Sequence, residues 1–391
     1  MLRRVVWGAL CAAAFAGSAL AQGQPPVRIG FSIAKSGLFA NGAAAETRVY
    51  DLWREQVNAK GGLDVGGTRR PVEFVQYDDQ SSGANAVKIY EKLITDDKVD
   101  LLFAPYGAAT TLPLAPLLER YGMPLVANTA TSVHIRELKP GNIWFVSSTV
   151  HDHVAEQLVK LLQQNHISSV AVIGNTIPPA TEIGRFLKDD LAQAKLEVKV
   201  SESYPPDITD MTALLSRVKQ AKPQGIIELS LFNDSGLYLR QSKELGVDAP
   251  FQFVAIGPTV ASFRKMFASN TDGIVTLGMW SPEAKQWPLA APFEASFVQK
   301  YHEDPDYLDS VLAEMSCEIM EEAVAKAGLD RAKFREVMAT TTFQTIVGDV
   351  KFKGVENVTT PTTFLQIQGD KTQIIWPSSI ATAPFKPKTM H

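Results

Sequence analysis

Short apolar runs alternate with amphipathic stretches along the first third of the chain. The patterns at 27–33 and 72–77 predict strands, and the run at 101–103 is apolar throughout, which is typical of a strand that is covered on both faces. Apolar positions in 43–57 and 84–95 recur at helical spacing instead. Strands that alternate with helices in this way predict a parallel sheet with helices on both of its faces.

The same alternation starts again after residue 148. Helical patterns cover 151–164, 181–194, 212–221 and 236–245, and strands are predicted among them at 170–174, 197–203, 225–231 and 251–255. We therefore predict an α/β protein with two similar lobes, each a mostly parallel sheet flanked by helices. Towards the end of the chain, helical patterns at 292–327 and 333–341 precede three runs that alternate at period two, at 348–352, 363–368 and 373–376.

Residues 101–122, LLFAPYGAATTLPLAPLLERYG, combine a buried strand, a turn of small residues and a helix. Gly107, Ala108 and Ala109 allow a ligand to approach the backbone closely, and Thr110 adds a hydroxyl group where the helix begins. Free N–H groups at a helix start attract anions, so this stretch predicts a site for a carboxylate or a phosphate. An ordinary strand-to-helix connection with small residues for packing explains the same pattern, and both interpretations stay open.

Three turns follow strands of the first predicted sheet, at 36–42, 104–111 and 128–132. In open parallel sheets, ligands bind in the crevice outside the carboxyl ends of the strands. We therefore expect these turns to lie together at the ligand site.

Composition limits the classes of function. The chain has 391 residues, 45% of them hydrophobic and 20% charged, with a formal net charge of −4. This length has room for two domains with substantial cores. Without a basic run or an excess of positive charge, nucleic acid is not an expected partner.

The N-terminus has the pattern of a secretory signal peptide. Arg3 and Arg4 precede an apolar run at 5–15, and small residues lead to an A-x-A site that predicts cleavage after Ala21. The run is shorter than the roughly 20 residues that a membrane-spanning anchor needs, which disfavours an uncleaved helix. Cleavage leaves only Cys317, which we expect to be a buried thiol that serves packing.

Several motifs together resemble one family. They are VRIGFSIAKSGLFANG, FVQYDD, LLFAPYG with PLAPLLERYGMPLV, DITDMTALLSRVKQAKPQGII and YHEDPDYLDS. Their order and spacing are similar to those of the leucine/isoleucine/valine-binding proteins, the type I periplasmic solute-binding proteins that serve ABC transporters. The resemblance covers residues 27–377.

This resemblance implies a clamp of two lobes that closes on a small-molecule ligand and then docks on an ABC permease in the inner membrane. Three crossings between the lobes are expected near 146–149, 278–281 and 346–349. They would assign 27–146 and 279–346 to lobe 1, and 147–278 and 347–380 to lobe 2. A periplasmic location follows from the same resemblance and from the predicted signal peptide.

In this family, the carboxylate of an amino acid is held by a serine in the turn after the strand that corresponds to 101–103, and by backbone and threonine groups in the turn after the next strand. The serine position falls on Ala108, a departure that leaves only a backbone N–H there. The backbone and threonine groups fall in the turn that contains Asn128, Thr129, Ala130 and Thr131, where both threonines keep the pattern of the family. Capping of a helix is the alternative role for these threonines.

Amino-acid-binding relatives hold the ligand's ammonium group with an acidic residue after the strand that corresponds to 251–255. Here the turn contains Gly257 and no acid. A buried ammonium group without a counter-charge is costly. Either Asp234 substitutes from a neighbouring loop, or the ligand is a carboxylic acid without an amine; a solvated helix cap is the simpler role for Asp234.

The remaining candidates for the pocket walls are mostly apolar or aromatic. Phe39 and Asn41 come from the first turn, Tyr106 from the second turn, Phe232 and Ile177 from the second lobe, and Thr149 from the first crossing. A position in the core or at the rim of the site is an equally good interpretation for each of these side chains.

Enzyme chemistry has no anchor in this sequence. His151, Asp152 and His153 lie at a predicted helix start on the surface, and histidines two positions apart point to different faces of a helix, so neither a metal nor another cofactor is expected. The two remaining hypotheses are a transport binding protein and a ligand-sensing module that partners a membrane receptor.

Overall fold

The computed structural model of the protein describes residues 24–138 and 141–388. The predicted signal peptide at 1–21 lies outside these residues. The structure contains two large sheets with helices packed on their faces, so the prediction of an α/β protein with two similar lobes is confirmed. Within the described ranges, no helix combines the length and the apolar character that crossing a membrane requires.

The first segment of the chain builds most of the first lobe. Its elements are β1 Val27–Ile33, α1 Ala40–Ala59, β2 Leu63–Val65, β3 Thr68–Arg70, β4 Val72–Asp78, α2 Gly83–Thr95, β5 Leu101–Phe103, α3 Ala108–Thr111, α4 Ala115–Tyr121, β6 Leu125–Ala127 and β7 Ile143–Phe145.

The second segment builds the second lobe. Its elements are α5 His151–Gln164, β8 Ser169–Asn175, α6 Pro178–Gln193, β9 Glu197–Tyr204, α7 Thr212–Ala221, β10 Gly225–Leu229, α8 Phe232–Leu245, β11 Phe251–Val254, α9 Ala261–Phe267 and β12 Ile274–Leu277.

The last segment contributes to both lobes. Its elements are α10 Ala290–Tyr301, α11 Asp309–Ala327, α12 Arg331–Thr340, β13 Thr342–Thr345, β14 Gly348–Lys353, β15 Glu356–Asn357, β16 Phe364–Gln368 and β17 Lys371–Trp376. Short 3₁₀ turns lie at Leu112–Leu114, Val133–Glu137 and Ala268–Thr271.

Strand pairing defines the two sheets. The first has the order β13-β14-β15-β7-β6-β5-β1-β4, and the second has the order β17-β16-β12-β11-β10-β8-β9. In each sheet the strands of the repeated strand–helix units are parallel, and antiparallel strands from the last segment complete one edge. Parallel strands aligned in this way bring their carboxyl ends to one side of each sheet.

The position of the third crossing was predicted wrongly. β13 and β14 pair as a hairpin, and Glu356 of β15 pairs with Phe145 of β7, so this part of the chain belongs to the first sheet. Phe343 and Phe352 from the hairpin are buried in the same core as Trp144. The chain returns to the second sheet only between β15 and β16, rather than at 346–349.

The helical pattern predicted at 292–327 is two helices. α10 ends where His302 adopts a left-handed conformation with φ of 58°, and Pro305 follows in the connecting loop. Proline and the residue before it disfavour helix, which explains the break. The loop leads into α11, which packs along α1 of the first lobe. The first residue of α11, Asp309, lies beside the cleft between the lobes.

An aromatic cluster anchors the first lobe behind its ligand-facing turns. Phe31 of β1 and Phe103 of β5 pack around Tyr50 of α1, with the Tyr50 and Phe103 rings stacked at 4.4 Å between centroids. Aromatic pairs in such geometries contribute stability beyond their buried area. The cluster fixes the end of β5, from which the turn at 104–107 begins.

Candidate functional site

A cavity of about 110 Å³ lies in the cleft between the lobes. Its size is of the order of the apolar cavity of about 150 Å³ that accepts benzene in a protein interior. Nine of the predicted residues line it, namely Phe39, Tyr106, Gly107, Ala108, Ala109, Thr129, Thr131, Thr149 and Ile177. Turns after β1, β5 and β6 therefore meet at one site, as the parallel arrangement predicts.

The turn after β5 forms a backbone surface of the cavity. Gly107 has φ of 79°, a left-handed conformation that L-residues with a side chain rarely adopt. Its N–H donates to Thr129 Oγ1 at 2.9 Å, which ties this turn to the one after β6. Ala108 begins α3, so the first N–H groups of this helical turn have no partner within the helix and lie beside the cavity.

Thr110, one of the predicted binding residues, does not line the cavity. Its hydroxyl group donates to the carbonyl oxygens of Tyr106 and Gly107, within the same turn. It therefore stabilises the turn and has no free hydrogen for a ligand.

Thr129 lines the cavity, but its hydroxyl group is also engaged. It donates to Glu46 Oε1 at 2.7 Å while accepting from Gly107. Glu46 is completely buried, and its Oε2 atom has no hydrogen-bond partner in the described part of the chain. Burial raises the pKa of Glu46 and favours its neutral form.

Asn128 and Ala130 shape this turn without lining the cavity. Asn128 Nδ2 donates to the Tyr50 hydroxyl group at 2.7 Å, and its Oδ1 atom accepts from the Thr129 N–H at 3.0 Å. Ala130 is buried in the core of the first lobe.

A hydrogen-bonded chain crosses the cleft at Thr131. Thr131 Oγ1 of the first lobe lies 3.1 Å from His151 Nε2 of α5, and His151 Nδ1 bonds Glu182 of α6. Burial opposes ionisation of Glu182, but the hydrogen bond and charge of His151 lower its pKa overall. Ser132 of the first lobe also donates to Glu182, at 3.3 Å. The expectation of a surface position was wrong for His151, which is 3% exposed and lines the cavity.

An acid that the sequence analysis missed also lines the cavity. Asp309, at the start of α11, is 5% exposed, and its Oδ2 atom accepts from the Tyr106 hydroxyl group at 2.9 Å. Phe39 packs beside Tyr106, with ring centroids 5.9 Å apart. The acid-rich motif YHEDPDYLDS was visible in the sequence, but nothing in it indicated that α11 would reach the cleft.

The second lobe contributes mainly apolar side chains. Those not predicted are Pro179, Ala180, Ile183, Leu229, Leu231, Ala255, Ile256 and Leu277, and the first lobe adds Leu308 and Leu312. Ser230 is a polar exception, and its hydroxyl group bonds Glu228 behind the wall. Burial and the charge of Asp234 raise the pKa of Glu228 to about 8.

Asp234 does not line the cavity. Its Oδ1 atom accepts from the Leu231 N–H at the start of α8, and its Oδ2 atom accepts from Asn175 and Tyr204. The side chain is a helix cap, although a buried one rather than a solvated one.

Phe232, Gly257 and Asn41 also lie outside the lining. Phe232 packs edge-on against Phe263. Gly257 has φ of 119°, and a Cβ atom there would lie 2.8 Å from the Phe263 ring. Asn41 Nδ2 instead reaches across the cleft to Asn233 Oδ1, at 3.4 Å.

Within residues 24–138 and 141–388, no cluster of three or more histidine, cysteine or acidic residues could hold a metal ion. Cys317 is a buried free thiol within α11.

Two lobes with a cavity between them, lined by residues of both, are typical of proteins that bind small ligands. Comparison with known families supports the same class of protein. The periplasmic binding protein family matches residues 26–372, so the chain belongs to this family. Its architecture is the type I periplasmic binding protein fold.

Among its relatives is the leucine-, isoleucine-, valine-, threonine- and alanine-binding protein of Pseudomonas aeruginosa, 25% identical over 76% of this chain and 78% of that protein. Among solved structures, the Streptococcus pneumoniae branched-chain amino acid transporter substrate binding protein LivJ, in complex with isoleucine, has a TM-score of 0.79 at 20% identity, covering 90% of this chain and all of that one. An ABC transporter solute binding protein from R. palustris, in complex with benzoate, has a TM-score of 0.76 at 18% identity and covers 93% and 98%.

Proposed function

We propose that the protein is the periplasmic substrate-binding component of an ABC importer of the branched-chain amino acid type. It captures a small apolar amino acid or a related carboxylate between its lobes, and it is a binding protein rather than an enzyme. The observation that carries the proposal is the cavity with walls from both lobes, apolar over most of its surface. Such concave, mostly apolar sites with a few polar groups are typical of small-molecule binding.

Backbone N–H groups and one hydroxyl group provide the carboxylate site in this proposal. The N–H groups at the start of α3 belong to residues that line the cavity, and they can bind a carboxylate without the serine that Ala108 replaces. Thr131 adds a hydroxyl group from the neighbouring turn. Thr129 supports the site indirectly, because its hydrogen bonds hold the turns together.

Closure of the lobes around the ligand is the working step. The bonds Thr131–His151, Ser132–Glu182 and Asn41–Asn233 each join one lobe to the other, so they exist only while the cleft is closed. A ligand that contacts both walls stabilises this closed form by interactions that the open form lacks. The closed form then docks on the permease.

A carboxylic acid without an amine is the second candidate ligand. The second-lobe turn at Gly257 has no acid, and Asp234 is committed to capping α8. An R. palustris protein of the same fold was crystallised with benzoate, which has no amine. Both observations favour this alternative over an amino acid held from the second lobe.

Thermal-shift screening tests the proposal. Purified mature protein is screened against apolar amino acids and aromatic or aliphatic carboxylic acids, and hits are examined by solution scattering. A ligand at about 100 times its Kd adds about 2.7 kcal/mol to the free energy of unfolding, which is easily detected. Hits should also reduce the radius of gyration. A library with no stabilising compound would contradict the proposal.

A membrane pull-down tests the transport role separately. The ligand-loaded protein should retain an ABC permease from inner membranes, and periplasmic extraction should release the protein with the soluble fraction. Retention of a membrane sensor instead would favour the sensing module.

A further inference from the structure

We propose that Asp309 and the Tyr106 hydroxyl group form a site for a protonated amine on the first lobe. This inference rests on the proposed function and deepens it, because it makes the ligand a small apolar amino acid. The counter-charge would then come from α11 rather than from the second-lobe turn at Gly257.

The geometry of Asp309 is that of an incomplete site. Its Oδ2 atom accepts from Tyr106 at 2.9 Å, and no donor from the described part of the chain reaches its Oδ1 atom. The side chain nevertheless lines the cavity and is only 5% exposed. A largely buried carboxyl group with one oxygen left free to accept can take a hydrogen bond from a donor on a ligand.

The surroundings of Asp309 favour a cation. Among the described residues that line the cavity, none is a lysine or an arginine. Glu46 and Asp306 lie close enough to affect the electrostatics of the same carboxyl group. An amino acid brings an ammonium group that can pair with this acid-rich wall, whereas a carboxylate without an amine brings no cation.

The charge state of Asp309 gives the proposal a second readout, which is proton release. Burial and the neighbouring Asp306 raise its pKa, so the empty cavity favours the neutral acid. The other titratable groups that face it are Tyr106, Asp306 and Glu46, and burial raises the pKa of each. Pairing with an ammonium group requires Asp309 to ionise, so binding of an amine should release a proton.

Matched ligand pairs test the proposal directly. Leucine is compared with 4-methylpentanoate, and phenylalanine with 3-phenylpropanoate, by isothermal titration calorimetry. The native protein should bind the amine-bearing member of at least one pair about 10-fold or more tightly. Asp309→Asn should reduce that preference about 10- to 100-fold, because a neutral amide replaces the charged acceptor of the ammonium group while the shape is kept. Affinity for the amine-free member should change by less than about 3-fold.

The matched control is Asp234→Asn, which changes a buried acid outside the cavity and should leave the preference intact. The proposal is overturned by an unchanged preference in Asp309→Asn, by loss of preference in Asp234→Asn, or by native protein that binds the amine-free acids equally well. If no compound of the wider screen binds the native protein, the proposed function itself fails.

A second measurement needs no variant. Titration of the native protein in buffers of different ionisation enthalpy should show release of about one proton with the amine ligand and none with its amine-free partner. Where Asp309→Asn folds, its titration should show no release. Equal proton release from the native protein and from Asp309→Asn would overturn the proposal.

Discussion

Thr131→Val tests the hydrogen bond that joins the lobes at the ligand. The substitution keeps the size of the side chain and removes the hydroxyl group that lies 3.1 Å from His151 Nε2. His151 is 3% exposed, so closing the cleft around valine would bury this nitrogen without a partner. An unsatisfied buried polar group costs about 1–3 kcal/mol. The cost falls on closure, because water satisfies His151 in the open form.

The expected result is weaker binding in a protein of normal stability. A loss of about 1–2 kcal/mol corresponds to a 5- to 30-fold rise in Kd, measured by calorimetry with the ligand found by screening. Scattering should show a smaller closed fraction at the same ligand concentration. Thr276→Val is the matched control, because that buried hydroxyl group bonds Ala255 within the second lobe and should leave Kd unchanged. Unchanged affinity in Thr131→Val, or an equal effect in the control, would refute the reasoning.

Three further predictions concern stability and the hinge. Burial raises the pKa of Glu228 to about 8 in the folded protein, from about 4.5 in the unfolded chain. The folded state therefore holds a proton that the unfolded state loses, and the free energy of unfolding should fall as the pH rises from 4.5 to 8. In denaturant titrations, Glu228→Gln should flatten this decline. Phe103→Ala, which removes the ring stacked on Tyr50, should lower the free energy of unfolding by about 3–5 kcal/mol in urea, and a loss under 1 kcal/mol would contradict the packing. Arg136→Gln breaks an ion pair that joins Arg136 of the first lobe to Asp152 of the second lobe, 2.5 Å apart. The variant should therefore show a larger open fraction in scattering, and the increase should be greater at low salt.

The first-lobe turns could be predicted because their position follows from topology. A parallel strand must end at the ligand-facing edge of its sheet, so Gly107 and Thr131 were expected there and line the cavity. Asp309 and Leu312 could not be predicted in the same way. They follow β12 by more than thirty residues, and helical periodicity does not say which face of α11 meets the other lobe.

The assignment of β14 to the second lobe was wrong for a related reason. The alternation at 348–352 correctly predicts a strand with one buried face, but period two carries no information about the sheet that covers it. The pairing of β14 with β15, and of β15 with β7, decides in favour of the first lobe. The third crossing therefore moved to the connection between β15 and β16.

Hydrogen-bond accounting explains why residue types alone did not identify the ligand. The hydroxyl hydrogen of Thr110 is used within its own turn, that of Thr129 is directed to Glu46, and the amide of Asn128 is directed to Tyr50. Polar residues that look like binding groups in the sequence are thus occupied in building the turns. Besides Thr131, the groups with capacity left are the backbone N–H groups at the start of α3, which the turn of small residues indicated, and the Asp309 carboxyl group, which comes from a distant helix. Ligand selectivity should accordingly respond more to Asp309 than to any threonine of the first-lobe turns.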